Sequence, residues 1–173
     1  MTDFFDIALL LFCCALIATL LTVPLASKIA WKVGAVDYPS RRRVNTKQTP
    51  RMGGIAVMLG LVVAFVVWAL FSQALGWAPV DTFLKIDGIS LWGVLIAIVG
   101  MFAVGIIDDA VQLTALNKFF WQIVAASVAT ASGVVIGDIV NPITGDLLNL
   151  GVFAYPLTVL FLVSFANIIN LID

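Results

Sequence analysis

Two neighbouring carboxylates, Asp108 and Asp109, are the side chains of this sequence with the clearest capacity for chemistry. They follow an apolar run, which places them near the C-terminal end of a predicted helix, where the helix dipole already contributes partial negative charge. Because the chain contains no histidine, we expect either a hard cation such as Mg²⁺ bound through oxygen, or the cations of another segment, to compensate them. The alternative is that one aspartate caps the next helix while the other is solvated.

A second group of residues is cationic and precedes the aspartates along the chain. Pro39 and Pro50 restrict the backbone in this group, and Gly53-Gly54 allows a ligand or a helix to approach closely. Such side chains can hold phosphates; alternatively they only set the orientation in the membrane or contact anionic lipid, and the glycines only serve helix packing. Seven of the nine Lys and Arg residues belong to this group: Lys28, Lys32, Arg41, Arg42, Arg43, Lys47 and Arg51.

A third group lies at the end of the chain. Asn167, Asn170 and Asp173 are spaced by three residues, so they share one face of a helix. This polar stripe is either part of a site or the amphipathic end of a helix that leaves a membrane.

The elements that must position these groups are membrane helices. Hydrophobic residues make up 62% of the chain and charged residues only 11%. This hydrophobic share is larger than a soluble domain of this size can bury. Each charge-free run reaches or approaches the roughly 20 residues that span a hydrocarbon core. We therefore predict an all-α fold, a polytopic transmembrane helix bundle forming one membrane domain over residues 1–173. Its five helices are predicted at Ile7–Ser27, Met52–Val80, Gly88–Ile107, Phe119–Gly137 and Leu147–Ile172.

The distribution of cations predicts which groups share a membrane face. A loop rich in Lys and Arg is expected in the cytoplasm, so the N-terminus and the loops 77–87 and 138–146 are expected outside. All three polar groups then lie at the cytoplasmic ends of helices, where they can converge on one cavity. The turn-forming residues of Gly137–Gly145 predict a small β-hairpin between the fourth and fifth helices. A net charge of −1 gives no support for nucleic-acid binding.

Taken together, the three groups resemble the motifs of the polyprenyl-phosphate N-acetylhexosamine-1-phosphate transferase family. Asp37-Tyr-Pro-Ser-Arg through Pro50-Arg51-Met-Gly-Gly resembles the first cytoplasmic loop of that family. Gly105-Ile-Ile-Asp-Asp, followed by Gln112-Leu, resembles its paired-aspartate motif. Asn167-Ile-Ile-Asn-Leu-Ile-Asp resembles the start of its Asn-x-x-Asn-Leu-x-Asp-Gly motif.

The resemblance implies a reaction and a set of site residues. The family transfers a sugar 1-phosphate from a UDP-N-acetylhexosamine to a polyprenyl phosphate in the lipid bilayer, with Mg²⁺, or Mn²⁺ in its place, and with release of UMP. It implies that Asp108 and Asp109 are catalytic and bind the metal together with Asp173. Lys47, Arg51, Asn170 and Asp173 would bind substrate. The expected location is the bacterial cytoplasmic (inner) membrane, with the active site on its cytoplasmic face, and the sequence leaves a homodimer open.

Two departures from the family pattern qualify these expectations. Family members often carry histidine where Asn45 stands, and asparagine can keep a hydrogen bond there but not a cationic one. The chain also stops at Asp173, whereas the family continues through further helices. We therefore expect the N-terminal part of a larger transferase domain, inactive on its own.

Two alternatives stay open. The stretch Pro50-Arg51-Met-Gly-Gly favours the N-acetylglucosamine-1-phosphate enzymes, which initiate cell-envelope polysaccharide synthesis, over the phospho-muramyl-pentapeptide enzyme. A protein of another class, a non-catalytic transporter-like fragment whose acidic residues relay protons or bind cations, would also carry polar groups in membrane helices.

Overall fold

The computed structural model describes residues 4–39, 46–77 and 88–172, and most of them are helical. Two short antiparallel ladders, β1–β2 and β3–β4, lie between helices. The loop predicted at 77–87 lies, apart from Trp77, outside the described residues. In chain order the elements are α1 (Phe4–Val33), β1 (Val36–Asp37), β2 (Thr49–Pro50), α2 (Gly53–Phe71), α3 (Leu91–Val111), α4 (Ala115–Ala131), β3 (Asp138–Val140), β4 (Leu147–Asn149), a 3-10 turn (Gly151–Phe153) and α5 (Ala154–Ile172).

The helices confirm the predicted membrane fold. Within the described part of the chain, four segments are long and apolar enough to cross a bilayer: Phe5–Val33, Gly53–Phe71, Leu91–Val111 and Gly151–Asn170. The remaining helix, α4, has 17 residues and is about 26 Å long, slightly less than the ~30 Å hydrocarbon core. The predicted hairpin is also present, since β3 pairs with β4 between α4 and α5.

The first helix is longer than its predicted span because it ends only at Gly34. Gly34 has φ +77°, and the amide of Ala35 donates to the carbonyl of Ala30 at 2.9 Å. This arrangement is a Schellman motif, which glycine permits because it has no Cβ. At 30 residues, or about 45 Å, α1 exceeds the hydrocarbon thickness, so its last turns carry Lys28 and Lys32 beyond the apolar span.

Two other helices end before the limits that hydropathy predicts. The second helix ends at Phe71, short of Val80, because Gly76 adopts φ +69° and the Trp77 amide turns back to the Ser72 carbonyl at 2.7 Å. The fourth helix ends at Ala131, short of Gly137, because Gly133 adopts φ +99°. Hydropathy places the end of a helix too late in these two cases, because the apolar stretch continues past the left-handed glycine that ends the helix.

The chain divides into two compact units. The first consists of Met1–Lys85 and Gly105–Gln112, and so contains α1, β1, β2, α2 and the last turns of α3. The second consists of Ile86–Val104 and Leu113–Asp173, and contains the first turns of α3, α4, the β3–β4 hairpin and α5.

Small residues hold α1 and α2 together in the first unit. Gly60 of α2 is buried, and a Cβ built there would collide with the Thr19 hydroxyl and the Ala15 carbonyl of α1. One helical turn away, the Thr22 hydroxyl lies 3.4 Å from the Ala56 carbonyl of α2. Close backbone approach at small residues is a common way for helices to associate in a membrane, where lipid offers no hydrophobic drive.

Gly60→Ala is expected to destabilise the protein by about 1–3 kcal/mol, the usual cost of overpacking. The matched control is Gly105→Ala, because a Cβ at Gly105 meets nothing within 4 Å and alanine has the higher helix propensity. Thermal unfolding in detergent measures both effects. Equal melting temperatures for the two variants would contradict the close contact at Gly60.

Candidate active site

The β1–β2 ladder pairs the two ends of the basic loop in the first unit. Val36 pairs with Pro50 and Asp37 with Thr49, and the Arg51 amide extends the ladder by donating to the Ala35 carbonyl at 3.0 Å. Both ends of the loop that begins at Asp37 are therefore held side by side. The two strands are separated in sequence by a segment that includes Arg41, Arg42, Arg43 and Asn45, all outside the described residues.

A small apolar cluster fixes this ladder in place. Ala30, Ala35 and Met52 are buried, with Met52 only 4% exposed, and Ile106 and Ala110 of α3 pack against them. Ile106 and Ala110 are four residues apart and so share one face of α3. The cluster thus joins the end of α1, the exit of β2 and the last turns of α3.

The last turn of α3 carries Asp108 and Asp109, as predicted from sequence. Both side chains are half-buried. On a helix, Asp109 lies at the flank of the face that Ile106 and Ala110 pack, while Asp108 lies on the opposite side. The turn ends at Gln112, whose φ of 53° is unusual for a residue with a Cβ and whose amide donates to the Asp108 carbonyl at 2.8 Å. The left-handed cap ends α3 directly after the aspartates.

Arg51 and Lys47 have different environments at the two sides of β2. Arg51 is half-buried, and its Nη1 is inaccessible and makes no hydrogen bond. An interior guanidinium nitrogen of this kind is costly to desolvate without an acceptor. Lys47 is exposed. Of the two predicted phosphate-binding cations, Arg51 is therefore the one held within the fold.

The N-terminus of α2 follows directly and is open. Met52 occupies the cap position without a side-chain cap hydrogen bond, and a Cβ on Gly53 or Gly54 would meet nothing within 4 Å. The Gly53 amide already donates to the Arg51 carbonyl at 2.7 Å, so an anion in front of this helix would be favoured mainly by the helix dipole.

In the second unit, the third predicted group, Asn167 and Asn170 of α5, makes hydrogen bonds to α4. Lys118 Nζ of α4 donates to Asn170 Oδ1 of α5 at 2.8 Å, and Asn167 Nδ2 of α5 donates to Gln122 Oε1 of α4 at 2.6 Å. Asp173, predicted on the same stripe, lies outside the described residues.

Lys118 and Gln122 are residues that the sequence reasoning missed. Their spacing of four residues places them on one face of α4, and the Asn167 and Asn170 stripe requires polar partners inside a membrane. These two features together could have indicated Lys118 and Gln122 as partners of the stripe. They could not have shown that α4 pairs with α5.

An apolar cavity of about 350 Å³ lies beyond these polar contacts in the second unit. Its walls include Ala125 and Ala129 of α4 and Phe165, Ala166 and Ile169 of α5. With only aliphatic and aromatic side chains on these walls, the cavity is suited to hydrocarbon and not to a polar ligand.

The predicted metal ligands meet some of the requirements of a site for a hard cation such as Mg²⁺. Among residues 4–39, 46–77 and 88–172, no three His, Cys, Asp or Glu side chains are grouped as metal ligands. However, Mg²⁺ usually takes one or two carboxylates and completes its shell with water and substrate phosphates. Asp108 and Asp109, both half-buried, would each offer such a carboxylate.

Comparison with known proteins decides the family resemblance. Residues 91–173 match the family model described as Glycosyl transferase family 4. A probable undecaprenyl-phosphate N-acetylglucosaminyl 1-phosphate transferase of Bacillus subtilis (strain 168) is 35% identical over 162 residues, which cover 94% of this chain. The chain is a homologue of polyprenyl-phosphate N-acetylglucosamine-1-phosphate transferases. The resemblance predicted from the three motifs is therefore confirmed.

Other relatives of this transferase homologue carry similar names. Decaprenyl-phosphate N-acetylglucosaminephosphotransferases of Mycobacterium tuberculosis (strain ATCC 25618 / H37Rv) and Mycolicibacterium smegmatis are each 36% identical over 147 residues, or 84% of this chain. The chain spans 41% of the Bacillus relative and 35% and 34% of the two mycobacterial ones. No solved structure matches the chain significantly. These relatives favour the N-acetylglucosamine interpretation over the muramyl-pentapeptide and transporter-like alternatives.

Proposed function

We propose that this protein supplies part of a transferase that moves N-acetylglucosamine 1-phosphate from UDP-N-acetylglucosamine to a polyprenyl phosphate. The observation that carries the proposal is the first unit's junction, in which the cluster of Ala30, Ala35 and Met52 packs on Ile106 and Ala110 and so joins the end of β2 to the last turns of α3. The names of the relatives supply the substrates. The proposed product initiates a cell-envelope polysaccharide.

In the proposed reaction, a phosphate oxygen of the lipid attacks the phosphorus that bears the sugar. The bond from that phosphorus to UMP breaks, UMP leaves with the electron pair, and a new diphosphate links sugar and lipid. A proton still on the attacking phosphate, whose second pKa in phosphate esters is about 6, passes to an Asp108 or Asp109 carboxylate. Arg51 and Lys47 offset the repulsion between the two anionic reactants.

Asp108 and Asp109 are the described residues that would hold a divalent cation, with Asp173 proposed as a third ligand. When bound, Mg²⁺, or Mn²⁺ in its place, would neutralise charge on the diphosphate of the donor. Asn170 is proposed to contact the nucleotide sugar through its amide. Its hydrogen bond to Lys118 holds that amide in one orientation.

The proposed location is the bacterial inner membrane with the active site on the cytoplasmic face. The apolar helices support the membrane, and the concentration of cations between α1 and α2 supports the cytoplasmic face. A lipid acceptor and a soluble donor can meet only at such a surface, which suits polar groups placed at helix ends.

The test is transfer of labelled N-acetylglucosamine 1-phosphate to undecaprenyl phosphate by the product of the intact gene, purified from an expression host. We expect labelled lipid and UMP in equal amounts, loss of transfer with EDTA, and recovery with Mg²⁺. Unlabelled UDP-N-acetylglucosamine should compete, and UDP-N-acetylmuramyl-pentapeptide should not. Competition by the pentapeptide donor alone would assign the protein to the muramyl reaction instead.

A further inference from the structure

The contact between α4 and α5 contains a pair of amide side chains, one buried and one half-buried, that the proposed reaction does not use directly. Gln122 is only 4% exposed, and its Oε1 accepts from Asn167 Nδ2 at 2.6 Å. The same Asn167 nitrogen also donates to the Val163 carbonyl of its own helix at 2.8 Å. Both hydrogens of this amide are therefore committed, so the Asn167 side chain is held in one orientation.

The pair lies one helical turn from the contact that the site needs. Gln122 follows Lys118 by four residues on α4, and Asn167 precedes Asn170 by three on α5, so the two contacts are consecutive rungs between antiparallel helices. The outer rung, Lys118 to Asn170, involves an exposed asparagine. Water can replace a partner at an exposed rung but not at a buried one, so the inner rung is the more demanding of the two.

We propose that Gln122 and Asn167 act as a positioning pair that sets the rotation of α5 against α4, so that Asn170 meets Lys118. The inference rests on the proposed function, because that function assigns Asn170 to the transferase site. Each residue along a helix turns by about 100°, so a modest rotation of α5 removes Asn170 from reach of Lys118. Apolar packing around the cavity beyond the pair does not prevent such a rotation, because aliphatic contacts are not directional.

The pair also has a matched control on the same helix. Thr130 of α4 is 3% exposed, and its hydroxyl bonds to the Ala126 carbonyl within its own helix at 2.8 Å. Thr130→Val therefore removes a buried polar group of α4 without removing a hydrogen bond between helices. It separates loss of the interhelical pair from loss of any buried hydrogen bond.

The first test measures transfer by the intact gene product and its variants. Gln122→Leu and Asn167→Leu are each expected to lower kcat about 10- to 100-fold, the scale of small misplacements in a site. The KM for UDP-N-acetylglucosamine should change less than about 3-fold, and the double variant should be no worse than either single one, since both act through one contact. The exchanged pair Gln122→Asn with Asn167→Gln keeps the summed side-chain length and should regain most of the rate. Thr130→Val should retain the wild-type rate.

The second test does not depend on activity. With Cys13 and Cys14 replaced by alanine, cysteines at positions 118 and 170 should cross-link with a short bifunctional reagent, less so after Gln122→Leu, and normally again in the exchanged pair. Wild-type rate and cross-linking in Gln122→Leu would overturn the inference, as would failure of the exchanged pair to recover either. If the unsubstituted protein transfers no sugar, the proposed function fails, and the cross-linking result alone decides the positioning role.

Discussion

Replacement of either Asp108 or Asp109 by asparagine should lower kcat for sugar-phosphate transfer by about 10³-fold or more. Losses of this size are typical when a group that stabilises charge or accepts a proton in the transition state is removed. Asparagine keeps the shape and one oxygen of the carboxylate but neither its charge nor its basicity. Both aspartates are half-buried at the end of α3, so solvent compensates a lost charge there only in part.

The measurement is single-turnover transfer of labelled sugar phosphate by the intact gene product at saturating donor. The double variant should be little worse than the single ones, because groups that act as a unit are strongly non-additive. Asp146→Asn, in the exposed turn of the β3–β4 hairpin, is the matched control and should transfer at the wild-type rate. Wild-type transfer in both Asp108→Asn and Asp109→Asn would remove the enzymatic interpretation of the carboxylate pair.

Arg51→Lys should reduce kcat/KM by about 10²-fold, although it conserves the positive charge. The Arg51 Nη1 atom is buried and makes no hydrogen bond within the protein, and we expect the guanidinium to reorient onto a bound phosphate as its acceptor. A guanidinium donates two parallel hydrogen bonds to a phosphate, whereas an ammonium is a single point charge. Lysine at this position therefore loses both geometry and reach.

Lys47→Gln provides the contrast on the other side of β2. Lys47 is exposed, where charge interactions are screened by salt, so its loss should lower kcat/KM less than about 10-fold and less still at high ionic strength. Lys32→Gln, on the exposed last turn of α1, should leave transfer unchanged. Equal losses for Arg51→Lys and Lys47→Gln would argue that only net positive charge matters in this loop.

Local sequence features were enough to predict the elements of this fold. Hydropathy located five helices, because burial of an apolar run in lipid depends on that run alone. Turn-forming residues located the β3–β4 hairpin for a similarly local reason. Helix ends were less predictable: Gly34, Gly76 and Gly133 decide them through left-handed backbone, whereas the hydropathy profile continues past them.

The sequence by itself also determined which residues were candidates for the site, because carboxylates, cations and amides are conspicuous in an apolar chain. Only the tertiary structure decided how they are held. It packed Ile106 and Ala110 against the cluster of Ala30, Ala35 and Met52, and it paired Lys118 with Asn170 and Gln122 with Asn167. Such pairings depend on the rotation and depth of one helix against another. Those quantities follow from side chains far apart in the chain, and no local pattern in either helix specifies them.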